Sequence, residues 1–197
     1  MSPPERFDII VSEPFQHLGL QSHIGRTLSY ARRYLLKPGG IFIPSRVTCF
    51  AALASPKTWR QYLDSQRDQL AGLMGLKPGE LDGSMRSPTR LLSVEEGALY
   101  SDWHPWRHVE FLDPSSYRQA MPIVFSASRS GVIEGVACRY EAELTRGIRL
   151  HSRPLHKLTS FHQAFRPFSS SMDVWEGDHI YLEMLASEQQ VLDLDFE

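Results

Sequence analysis

The sequence predicts an α/β fragment of about 45 residues, followed by an antiparallel, β-rich domain with a helical insert. Three observations carry this. A strand, a loop, a helix, a turn and a second strand follow one another up to Pro44. From Trp106 onward short β-runs recur, separated by turns rich in Gly, Pro, Ser and Asp. Between these parts, residues 57–74 carry a helical pattern.

Phe7-Asp-Ile-Ile-Val11 is a short, nearly continuous apolar run, as a strand buried on both faces requires. Ser12-Glu13-Pro14 breaks it. Ile24, Leu28, Ala31 and Leu35 then form one helical stripe, with Arg26, Arg32 and Arg33 off it. Lys37-Pro38-Gly39-Gly40 supplies a helix stop and a turn. Ile41-Phe-Ile starts the next strand, which ends at Pro44. This is one βα unit plus a strand, in the style of a doubly wound parallel sheet. Two parallel strands and one helix do not close such a domain. The piece is expected either to dock on the β-rich part or to be the tail of something longer.

Arg46–Ala54 reads as a strand. Lys57 to about Met74 reads as a helix with Trp59, Tyr62, Leu63, Leu70 and Leu73 or Met74 on its apolar side. Leu76–Pro88 reads as a loop. The later β-runs are His108–Leu112, Ile123–Ala127, Gly131–Leu144, Phe161–Phe168 and Asp178–Leu185. Their spacing suits an antiparallel barrel or sandwich. The boundary falls near residue 45.

Composition narrows the function. Apolar residues make up 42% of the 197, too many for a disordered chain. The net charge of −2 lacks the basic excess of a dedicated nucleic-acid binder. No apolar run is long enough to span a membrane, and no apolar segment follows Met1-Ser-Pro-Pro-Glu-Arg6 as it would in a signal peptide. Cys49 and Cys138 lie in apolar or alternating runs and read as buried, reduced thiols. A cytoplasmic protein fits, or a nuclear one in a eukaryote. The eight histidines are scattered and no Cys-x-x-Cys pair occurs, so no metal site is expected.

Asp8-Ile-Ile-Val-Ser-Glu-Pro14, the helix ending Ser29-Tyr-Ala-Arg-Arg-Tyr-Leu35, and Leu36-Lys-Pro-Gly-Gly-Ile-Phe-Ile-Pro-Ser-Arg46 together resemble the protein arginine N-methyltransferase family. Gly135-Val-Ala-Cys-Arg-Tyr-Glu-Ala-Glu-Leu144 and Trp175-Glu-Gly-Asp-His-Ile-Tyr181 extend the resemblance at lower density. It implies that residues 1–45 end a Rossmann-like methyltransferase sheet. Residues 46–197 are then a β-barrel substrate domain, with a helical dimerisation arm inserted at about 57–100. It implies that Glu13 is the first glutamate of the family's two-glutamate loop and the catalytic, substrate-holding carboxylate. Phe15 is expected near the methyl end of the S-adenosylmethionine cofactor.

By ungapped count the second glutamate of that loop falls on Ser22. The family's Thr-His-Trp segment falls on Thr159-Ser160-Phe161, so Ser160 and Phe161 take the substrate-binding positions of its His and Trp. The glycine-rich turn and acidic ribose partner that hold S-adenosylmethionine belong upstream of residue 1. Gly39-Gly40 follows a helix instead of opening one and does not replace them. The isolated chain is therefore expected to hold no cofactor unless the missing half is supplied.

The implied reaction is methyl transfer to a guanidinium nitrogen of a protein or peptide. Two carboxylates can grip that planar cation and bias its charge toward the far nitrogens. With Ser22 in one position, half of the clamp remains. The resemblance implies a homodimer through the arm, or a partner supplying the missing sheet. A different class of function is a catalytically inactive binding or dimerisation module that partners a complete enzyme.

Several of these residues have plainer readings. Glu13 stands at a strand-to-loop switch, where a carboxylate can cap a turn. His17, His23 and His162 read as solvated loop histidines. Trp103 and Trp106, flanking His104-Pro105, read as a structural corner.

Overall fold

The computed structural model describes residues 5–16, 19–20, 24–74, 86, 89–118, 122–152, 162–184 and 194–195. Strands β1 (Phe7–Val11) and β2 (Leu36–Ile43) pair in parallel. Their register jumps from Phe7↔Leu36 to Ile9↔Ile41. The turn predicted at Lys37–Gly40 is thus a bulge within β2, with Gly39 at φ 78°. Helix α1 (Ile24–Tyr30) buries Ile24 and Leu28. It widens into a π-helical turn at Ala31–Leu35, closed by Leu36 N–H donating to the Ala31 carbonyl. That extra residue carries Leu36 into the core while Arg32 and Arg33 stay exposed.

A cis peptide bond joins Ile43 to Pro44. The β-rich part then runs β3 (Arg46–Ala54), α2 (Lys57–Met74), β4 (Arg90–Leu91), β5 (His104–Glu110), β6 (Ile123–Ser126), β7 (Gly131–Thr145), β8 (Ile148–His151), β9 (Ala164–Val174), β10 (His179–Met184) and β11 (Leu194–Asp195). One sheet has the order β4-β9-β7-β3-β5, with β8 also on β7. A second has the order β11-β10-β6. All pairs in both are antiparallel. No closed ring of strands forms among the described residues.

Two strands depart from the expected bounds. β5 starts at His104, opposite Ala51, and its ladder passes Pro105 at the irregularity between Cys49 and Phe50 of β3, where a residue without an N–H is tolerated. β9 runs to Val174 because its second part continues against the start of β7, from Met172↔Ile133 to Val174↔Gly131.

Alternation decides what each strand buries. Val47, Cys49, Ala51 and Leu53 of β3, with Val136, Cys138, Tyr140 and Ala142 of β7, face the main core. The same core takes Leu20, Ile24, Leu28, Leu36 and Phe42, so it is continuous across residue 45. Phe42 meets Phe111 edge-on at 6.0 Å. The opposite face of the larger sheet is covered by α2. Trp59 and Leu63 pack there with Ala54, Val94, Ala137 and Phe165. Arg60 Nε lies 3.5 Å from Glu134 Oε1. The described part of the helix predicted as an arm thus uses its apolar side as core.

Candidate active site

Glu13 lies just past the carboxyl end of β1, where ligands of open α/β sheets sit. Ser12 N–H donates to the Ile43 carbonyl at 2.9 Å and carries the ladder one step into the loop. Glu13 is exposed, Pro14 buried and Phe15 partly buried. Gly19 N–H then donates to the Gln16 carbonyl at 2.8 Å and closes the loop on itself. Gly19 has φ +114°, and a Cβ there would stand 2.5 Å from Cys49 Sγ and 3.4 Å from Tyr140 Cβ. Only glycine lets the loop lie this close to the sheet.

The floor under the loop comes from β3, β5 and β7. Phe15 stacks on Tyr140 with ring centroids 4.5 Å apart and planes inclined by 12°. Tyr140 is held at the backbone: its N–H donates to Ser152 Oγ at 2.9 Å, and Ser152 N–H donates to its carbonyl at 3.0 Å. Burial pushes the Tyr140 phenol upward, with the charges of Glu13 and Cys49 adding to it. Burial also pushes the Cys49 thiol up to about 12 and holds the nearby Arg107 guanidinium below its usual range. Arg107 Nη2 donates to the Tyr117 carbonyl at 3.3 Å. Both cysteines are free and buried.

Glu13 makes no hydrogen bond or ion pair among the described residues, so no turn N–H is capped by it there. The expected partners Ser22, Ser160 and Phe161 lie outside the described residues, as do His17 and His23. The structure therefore brings together Glu13 and Phe15 of the predicted site. It adds Tyr140, Cys49 and Gly19, which sequence reasoning missed. The inward alternation of Val136, Cys138 and Tyr140 was the available signal for Tyr140; nothing in the sequence showed that the loop lies on it.

The remaining candidates sit elsewhere. His162 is exposed. Trp106 is buried, and Trp103 and Phe50 flank the Arg139 guanidinium at 4.9 and 4.8 Å. Three residues separate His104 from His108, yet their rings go different ways. His104 meets Phe125 edge-on at 5.4 Å, while His108 bonds Thr48 and Glu110. No group of three or more His, Cys, Asp or Glu suited to a metal ion occurs among the described residues.

The chain aligns over its whole length with a solved structure, the Trypanosoma brucei PRMT1 enzyme–prozyme heterotetrameric complex with AdoHcy, at TM-score 0.80 and 16% identity. The chain has a protein arginine methyltransferase-like fold. Arabidopsis thaliana protein arginine methyltransferase 10, solved in a uniquely open conformation, matches 94% of the chain at TM-score 0.71 and 19% identity. The chain spans 66% and 62% of those two chains, respectively. No family model matches the sequence, and no curated protein matches it significantly. Its mostly antiparallel sheets with few helices correspond to the C-terminal region of the methyltransferase-like fold. No helix among the described residues is long and apolar enough to cross a membrane.

Proposed function

We propose that this chain is the substrate-side portion of a protein arginine N-methyltransferase, with Glu13 as the carboxylate that holds the guanidinium. The observation that carries this is an exposed carboxylate with no bonded partner among the described residues, at the carboxyl end of β1 and beside a floor fixed by Phe15 and Tyr140. A carboxylate there accepts two N–H donors from a planar cation and draws charge toward the held nitrogens. The reaction is methyl transfer from S-adenosylmethionine to the remaining nitrogen, in which positioning does much of the catalysis. The β-rich part, a barrel in this reading, forms the substrate-side wall. By the resemblance alone, Ser22, Ser160 and Phe161 are assigned to the substrate side as well.

S-adenosylmethionine would be held by a glycine-rich turn that opens a helix. Gly39 and Gly40 sit in the bulge of β2, not at the opening of a helix. The cofactor half must come from more sheet. β1 and β2 expose Phe7, Ile9, Val11 and Ile41, a face that suits such an addition. A partner chain or a second copy joined through the α2 region would complete the assembly. The heterotetrameric state named for the Trypanosoma brucei complex supports that expectation. Free, buried thiols suit a reducing, cytoplasmic or nuclear compartment. The second reading, an inactive partner of a complete enzyme, is favoured by Ser22 at the position of the second glutamate.

The test supplies the missing half. The chain is assembled with the cofactor-binding half of a complete arginine methyltransferase, and methyl transfer to an arginine peptide is followed. Transfer is expected, and Glu13→Gln should slow it by about two to three orders of magnitude, the equivalent of about 3–4 kcal/mol. An assembly that binds S-adenosylmethionine but transfers nothing, or whose transfer ignores Glu13→Gln, would contradict the proposal.

A further inference from the structure

Alternation along β3 divides its side chains between two faces. Val47, Cys49 and Ala51 face the main core, and Cys49 lies under Gly19 of the Glu13 loop. Arg46 and Thr48 therefore face the other way. On that outer face the antiparallel register sets Thr48 opposite His108 and Arg46 opposite Glu110 of β5. Three of these side chains form one chain of hydrogen bonds. Thr48 Oγ1 lies 2.8 Å from His108 Nδ1, and His108 Nε2 lies 3.0 Å from Glu110 Oε1. Arg46 Nη1 approaches the same Glu110 Oε1 at 3.5 Å, so Glu110 stands here as a carboxylate, which only accepts. In the neutral ring Nε2 thus carries the proton and donates it to Glu110, leaving a lone pair on Nδ1. The Thr48 hydroxyl donates to that lone pair.

A hydroxyl on an imidazole that a third group orients is the arrangement of an activated nucleophile. The group can be reached: the side chains of His108 and Glu110 are each 39% exposed, and Thr48 is only partly buried. The neighbouring acids on β7 have basic partners of their own. Glu143 holds Arg46, and Glu141, opposite Thr48, lies 3.3 Å from Arg139 Nη1. The backbone N–H groups around Thr48 belong to the ladders with β5 and β7, so the face offers no backbone pair to stabilise an oxyanion. The chemistry it suits is attack on an acyl group that already carries a good leaving group.

We propose that Thr48 is a self-acylation site, with His108 as its base, for activated acyl groups such as those of aryl esters and thioesters. Thr48 Oγ1 bonds to the carbonyl carbon, and the bond from that carbon to the leaving oxygen or sulfur breaks. The hydroxyl proton passes to His108 Nδ1 and from there to the leaving group. The products are an O-acyl threonine and a free phenol or thiol. Glu110 is a positioning residue, which holds the ring in the tautomer that accepts at Nδ1. The site lies on the opposite face of β3 from the Glu13 loop, and the inference does not depend on methyl transfer.

The probe is p-nitrophenyl acetate, added to the intact chain. Release of p-nitrophenol is followed by absorbance, and the acetylated residue is located by peptide mass mapping. Acetyl is expected on Thr48. Thr48→Val keeps the β-branched shape that suits a strand and should abolish labelling of that peptide, whereas Thr48→Ser should retain it. His108→Ala should slow labelling by about two orders of magnitude, the worth of a positioned base, and added imidazole should restore part of the rate. Glu110→Gln should also slow it, because the amide N–H would hold the other tautomer and turn Nδ1–H toward Thr48. Thr48→Val and Glu110→Gln stay close in shape to the original residues, so the outcome does not hang on His108→Ala folding. Glu13→Gln should change nothing. Acetyl found on His108 or on lysines while Thr48 stays bare overturns the proposal. So does labelling of Thr48 at an unchanged rate in His108→Ala or in Glu110→Gln.

Discussion

The ring of Phe15 lies face to face with that of Tyr140, 4.5 Å away and inclined by 12°, so the loop after β1 rests on the middle of β7. This contact ties the α/β fragment to the β-rich part at the point where Glu13 emerges. Such a stack is worth about 0.5–1.5 kcal/mol beyond the area it buries. Phe15→Leu should cost about that much in urea denaturation. An unchanged midpoint would show that the loop is not held by the stack.

Gly19 tests the same docking from the backbone. Its φ of +114° strains any other residue, and a Cβ would collide with Cys49 Sγ at 2.5 Å. Gly19→Ala should destabilise the protein by about 2 kcal/mol or more. Adding Cys49→Ala should restore the part due to the collision and leave the part due to φ. If the double variant is no more stable than Gly19→Ala, the loop does not lie where the structure places it.

The buried thiols set an alkaline limit. Burial pushes the Cys49 thiol from its ordinary value of 9.0 up to about 12. Burial raises the Cys138 thiol as well. A group whose folded value is raised contributes fully below its unfolded value and loses that contribution as pH rises toward the folded one. Stability should therefore fall between about pH 9 and 12, by about 1.4 kcal/mol per pH unit for each thiol. Cys49→Ala should make the slope shallower. A slope identical in the variant would show that Cys49 ionises normally in the fold.

Much of the fold was legible because the local signals agreed with the packing. The stop at Pro44 and the helix Lys57–Met74 stand as the residues dictate, whereas Phe7–Val11 forms the expected strand but is not buried on both faces: Phe7, Ile9 and Val11 are exposed because only β2 pairs with it among the described residues. What was not legible depended on pairing over long distances. The bulge at residues 37–40 arises from the register of β2 on β1, and the short β8 exists only because the second half of β7 offers it an edge. The same holds at the site. Glu13 and Phe15 were candidates through the family resemblance, whereas Tyr140 and Cys49 reach the loop only through the docking of the two parts.

Trp59 measures how far α2 belongs to its own sheet. Its side chain is fully buried, 5.6 Å from the rings of both Tyr62 and Phe165. Trp59→Ala should cost about 3–5 kcal/mol. A loss under 1 kcal/mol in the dilute chain would mean that this face is covered only in an assembly.

The most direct test of the central claim is one variant read in two ways. Glu13→Gln keeps the shape of the side chain and removes its charge. Affinity for a glycine-flanked, single-arginine peptide and the melting temperature are measured on the same protein. Holding a guanidinium through Glu13 predicts that affinity falls by about 1.5–3 kcal/mol, the worth of a hydrogen bond to a charged group. The melting temperature should stay level or rise, because an unpaired carboxylate is relieved. A stability loss of about 1 kcal/mol, as for a lost cap, together with unchanged peptide affinity, would contradict the account.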